Sequence, residues 1–134
     1  MRFLMIHYLD EDAELDPAQD PGAEGSAAAV QMRDWIAEME GSGVKVTGGA
    51  LQPSGEAVTV RRRGGELLVS DGPFAETKEQ IAGFDVLECA SLEEAVAIAS
   101  RHPTARIGAF ELRAFLPPQD QPSARDGGEH GLAE

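Results

Sequence analysis

Residues 2–8 open the chain with an apolar run, Phe3-Leu4-Met5-Ile6, short enough to read as a buried strand. A polar segment from Asp10 to Gly25 follows, and at about 15 residues it is longer than most connections in compact domains. It reads as a solvated, mobile loop, with a lid as the alternative. Ser26 is a fitting N-cap for a helix to about Glu40, where Ala28, Met32, Trp35, Ile36 and Met39 share one face. Val44 to Leu51 reads as a second strand, with Gly48-Gly49 marking a bulge or a close backbone approach. Val58 to Arg61 alternates apolar and polar, Gly64-Gly65 supplies a hairpin turn, and Glu66 to Ser70 returns. Ile81 to Cys89 is a further strand, with Phe84, Val86 and Glu88 on one side and Asp85, Leu87 and Cys89 on the other. Ser91-Leu92-Glu93-Glu94 is a capping box that starts a second helix, and Pro103 stops it after Arg101 and His102, cations suited to a helix C-terminus. Arg106 to Phe115 is the last strand.

The element order is strand, helix, strand, hairpin, strand, helix, strand. Two amphipathic helices can cover only one face of such a sheet. The opposite face would stay wet in a monomer, which points to a homodimer packed sheet against sheet. Residues 117–134 turn to Pro, Gln, Asp, Ser and Gly, the composition of a disordered tail.

Charge narrows the partners. The 134 residues carry a formal net charge of −13, which opposes phosphate backbones and argues against direct nucleic-acid binding. Arg61-Arg62-Arg63 is the one basic run and reads as a solvated hairpin tip. No stretch approaches the roughly 20 apolar residues of a membrane span. Cys89 is the single cysteine, so no disulfide can form within the chain, and a reducing cytosolic setting fits. No His pair at helical spacing, phosphate loop or dinucleotide fingerprint is present, so neither a metal nor a cofactor is implied.

The densest chemistry lies in Asp71-Gly72-Pro73-Phe74-Ala75-Glu76-Thr77-Lys78-Glu79, between two strands. Asp71 is either a turn carboxylate or a pocket base. Glu76, Lys78 and Glu79 are either a surface cluster or a network lining a cleft. Phe74 reads as a core side chain pinning the loop. His7, near a strand end, is either structural or an acid–base group.

This architecture and the Asp71–Glu79 stretch, followed by Gly83-Phe84, resemble the DGPF or YCII-related family of small bacterial proteins, over roughly residues 1–116. The resemblance implies an α+β, ferredoxin-like fold of the dimeric α/β barrel type, an antiparallel sheet with two helices on one face. Some relatives have a proposed His–Asp pair. Its histidine position corresponds to Met32 here, and its aspartate is missing near Leu51 to Ser54, so the pair does not carry over. Members of the DGPF branch also occur fused to, or encoded beside, extracytoplasmic-function sigma factors.

Three functions stay open at this point. The first is binding of a small organic molecule in a sheet–helix cleft by Asp71, Glu76, Lys78 and Glu79, with His7 nearby. The second is cofactor-independent isomerase- or lyase-like chemistry with His7 or Asp71 moving a proton. The third is a regulatory interaction module for a sigma factor.

Overall fold

The computed structural model describes residues 1–124. Its elements are β1 (Arg2–Leu9), α1 (Ala27–Gly41), β2 (Lys45–Ala50), β3 (Val58–Arg63), β4 (Glu66–Asp71), β5 (Gln80–Glu88), α2 (Leu92–Ser100) and β6 (Ala109–Ala114). Four strands form one antiparallel sheet in the order β2-β5-β1-β6. Helix α1 leaves the first of these strands in chain order and α2 leaves the third. That β-α-β-β-α-β path, with the first and third strands central, is the ferredoxin-like arrangement. No helix among the described residues is long and apolar enough to cross a membrane.

The two helix starts follow the sequence signals. Ser26 accepts the Ala29 N–H and Ser91 accepts the Glu94 N–H, each satisfying a donor that the first helical turn leaves free. The capping box closes one residue early, because Glu94 accepts from the Ala90 N–H. Both helices pack on the same sheet face. Phe3 and Met5 of β1 and Leu87 of β5 meet Trp35 and Met39 of α1 and Ala95, Ile98 and Ala99 of α2, with Cys89 beside them. Alternation then sends Leu4, Ile6, Phe84 and Val86 to the other face, where they are half-buried.

Strands β3 and β4 form a separate two-stranded sheet, an arm outside the main one. Its turn uses Gly64 and Gly65 at φ of 57° and 81°, the left-handed backbone that a tight hairpin needs. Phe74, expected in the core, is 79% exposed at the root of the arm. The Arg61 guanidinium lies 5.1 Å from its ring centre. The expectation failed because the aromatic ring packs on a cation of the arm rather than on the sheet. Of the segment read as a disordered tail, Pro118–Asp120 forms a short 3-10 turn, and Gln121 Nε2 donates to the Leu116 carbonyl. Residues 125–134 lie outside the described residues.

Candidate functional site

A cavity of about 380 Å³ lies between the sheet and α1, at the small end of the range of ligand pockets. Sheet residues His7, Lys45 and Asp85, helix residues Met32 and Ile36, and His102 and Thr104 after α2 all line it. Leu15, Asp20, Pro21 and Gly22 of the long acidic loop form an outer wall. That loop is therefore part of the cavity rather than a mere connection. Its aspartates hold its shape: Asp16 accepts the Ala18 N–H and Asp20 accepts the Gly22 N–H.

Asp85 is the anchor of the site. It sits on the core-facing side of β5, only 4% exposed. Its Oδ2 lies 2.7 Å from His7 Nε2, and its Oδ1 lies 3.4 Å from Lys45 Nζ. Both oxygens of this buried carboxylate are thus paired, one with an imidazole and one with an ammonium. Neighbouring β2 makes room for it with Gly48, where an added Cβ would stand 2.3 Å from Asp85 Oδ1 and 2.6 Å from the Phe84 carbonyl oxygen. Of the β2 glycine pair, Gly48 is thus the close approach that admits a carboxylate, while Gly49 faces open space.

The hydrogen-bond network fixes the ring chemistry. With Asp85 ionised, His7 carries its neutral-state proton on Nε2 and donates it to the carboxylate. Its Nδ1 lone pair has no hydrogen-bond partner within residues 1–124. His102 is arranged the opposite way. Its Nδ1 accepts the Thr104 N–H, which places the neutral-ring proton on Nε2. Every fully buried side-chain nitrogen or oxygen among the described residues has a partner. The unpartnered His7 Nδ1 and His102 Nε2 are therefore accessible, and both rings line the cavity. One imidazole presents an acceptor and the other a donor, with ring centres 5.2 Å apart.

Packing locks both rings. His102 is edge-on to Trp35 and Phe110, and His7 is edge-on to Phe110. Burial holds the His102 pKa down at about 4, aided by the neighbouring His7 and Lys45 and opposed by Asp85. His102 is therefore a neutral donor at neutral pH. Burial also pushes the Cys89 thiol upward, which leaves it an inert core side chain.

Of the candidate site residues His7, Asp71, Glu76, Lys78 and Glu79, His7 alone lines this cavity. Asp71 ends β4 on the arm, and Glu76 lies on the segment that follows; both are exposed. Lys78 and Glu79 line a different, more open depression with Tyr8, Asp10 and Thr77. The structure does not bring Asp71, Glu76, Lys78 and Glu79 together with His7. The turn carries them outward because the arm leaves the main sheet before Asp71 is reached. His102 is not a helix C-cap: it is buried and caps the 3-10 turn Pro103–Arg106. Asp85, Lys45 and His102 were missed. Asp85 had a legible signal, since a charged residue alternating with Leu87 and Cys89 falls on the core side of its strand and must be paired there. Met32 also lines this cavity.

The family model described as the YCII-related domain matches residues 1–117. The chain belongs to the YCII-related family. An uncharacterized protein of Rhizobium meliloti (strain 1021) is 46% identical over 77 residues, which is 54% of this YCII-related chain. The match spans 62% of that relative's length. Among solved structures, a similar one is 5-chloro-2-hydroxyhydroquinone dehydrochlorinase from Burkholderia phenoliruptrix AC1100, in complex with 2,5-dihydroxybenzoquinone. It is 15% identical, with 89% of this chain and 97% of that chain covered and a TM-score of 0.42.

Proposed function

We propose that this YCII-related protein binds a small, largely apolar organic molecule bearing a hydroxyl or carbonyl oxygen, and moves a proton on it with His7. The observation that carries this is the His7–Asp85 pair, which leaves Nδ1 unpartnered in a cavity shared with the opposed donor of His102. His7 Nδ1 takes a proton from an acidic O–H, or from a C–H beside a carbonyl. The electron pair it leaves moves onto the substrate oxygen. The Nε2–H of His102 and the ammonium of Lys45 stabilise that oxyanion, and Asp85 stabilises the imidazolium that forms. Returning the same proton to another atom completes an isomerisation, and the proton balance closes on His7. The apolar lining from Leu9, Leu15, Met32, Ile36 and Ile107 suits a compact ring or branched chain. The sigma-factor reading has no residue in this site that bears on it. Self-association across the far sheet face is part of the proposal, supported by the half-buried Leu4, Ile6, Phe84 and Val86.

A ligand-observed magnetic-resonance screen with phenol, hydroxybenzoates and cyclohexenone tests the site. The hydroxyl-bearing binders are expected to weaken about tenfold in His7→Ala, the cost of losing the Nδ1 acceptor for their O–H. They are expected to be excluded by Met32→Trp and unchanged in Asp71→Ala and Lys78→Ala. Loss in the last two variants with retention in His7→Ala would move the site to the arm.

A further inference from the structure

The arm formed by β3 and β4 is the least supported part of the described chain. It pairs with no strand of the main sheet. Its register places Val60 opposite Val69 and Arg62 opposite Leu67, so Val58, Val60, Leu67 and Val69 share one face. These four side chains are 53–64% exposed. A two-stranded hairpin in water is marginal on its own, and an apolar row of this kind calls for cover.

Charge identifies what covers it. Arg61, Arg62 and Arg63 supply three of the eleven cationic side chains of the chain. The loop from Asp10 to Glu24 carries seven carboxylates and no Lys or Arg. This acidic loop is also the outer wall of the cavity, through Leu15, Asp20 and Pro21. In a single subunit the loop meets the root of the arm, where Glu11 accepts from the Ser54 N–H and hydroxyl, while the arginines lie beyond that root on β3. We propose that the arm of one copy docks on the acidic cavity wall of a second copy. The contact is reciprocal, as a two-fold axis requires. Each arm then covers the wall of the partner's cavity, and each loop neutralises the partner's arginines. The proposal adds a contact to the self-association above but does not depend on the chemistry of His7.

A charge swap tests it. One variant carries Arg61→Glu, Arg62→Glu and Arg63→Glu. The other carries Asp12→Lys, Glu14→Lys and Glu24→Lys, acids whose carboxylates make no hydrogen bond within residues 1–124. Circular dichroism first establishes that both fold. Sedimentation at low salt is expected to show the wild type self-associating and each variant alone weakened at least about tenfold. The equimolar mixture is expected to associate more tightly than either variant alone, because one reciprocal contact pairs the native arm with the native loop and the other has lost most of its like-charge repulsion. Raised salt is expected to weaken the wild-type assembly. Three results would overturn the proposal: a monomeric wild type, variants as tightly associated as the wild type, or a mixture no tighter than its components. Phenol or cyclohexenone binding by the wild type is read separately, so a failed arm contact and a failed cavity are distinguishable.

Discussion

Asp85→Ala is expected to destabilise the fold by about 3–5 kcal/mol, the range for removing one partner from a buried charged set. Asp85 is held by His7 at 2.7 Å and by Lys45 at 3.4 Å, and the Lys45 side chain is only 10% exposed. Removing the carboxylate leaves that ammonium with Glu40 at 3.8 Å as its remaining partner and leaves the His7 Nε2–H without an acceptor. Urea unfolding should show a lower midpoint with an unchanged slope. Asp85→Asn keeps the shape and part of the hydrogen bonding and should fall between. Adding Lys45→Met to Asp85→Ala should recover part of the loss, because the unpaired cation is gone. A loss below about 1 kcal/mol in Asp85→Ala would mean that the triad is solvated and ordinary.

Acid should weaken the protein through His102. Its folded-state pKa of about 4 lies below the value near 6.5 expected in the unfolded chain. The sign follows from which state binds the proton. Above about pH 6.5 both states are neutral and the contribution of His102 is fully present. As pH falls from there, the unfolded chain takes up a proton that the folded one refuses, and stability drains until about pH 4. The full span corresponds to about 3 kcal/mol for this group alone. Glu11, Glu38 and Glu88, held low by their hydrogen-bond partners, add to the acid sensitivity but are surface groups common to any variant. His102→Asn keeps a side chain able to cap the following turn and removes the titration. The difference in urea stability between pH 7.5 and 4.5 should therefore be clearly smaller in His102→Asn than in the wild type. An equal difference in both would show that His102 titrates normally.

The fold was largely legible because it rests on local signals. Ser26 and Ser91 announce the helices, and Gly64-Gly65 announces the hairpin. The period-two pattern of β5 assigned its faces correctly. The site was less legible, and the reason is physical. The densest run of ionisable residues, Asp71 to Glu79, drew attention because the residues are close in sequence, yet water surrounds them. The cavity groups come from β1, β2, β5 and the turn after α2, and only tertiary pairing brings them together. His102 misled because a cation after a helix normally faces the helix dipole. Here Pro103 begins a new turn and directs the ring inward. Phe74 misled because an aromatic among charges was given to the core, when a cation on the arm holds it.

The central claim is that Asp85 aligns His7 so that a bare Nδ1 faces ligands in the sheet–helix cavity. Imidazole nitrogen-15 spectra of the folded protein, recorded with and without a phenol that the screen finds to bind, report on this directly. The account predicts the neutral-ring proton of His7 on Nε2, and an Nδ1 resonance that moves when the phenol is added. A proton on Nδ1, or an Nδ1 resonance that the bound phenol leaves in place, would contradict it.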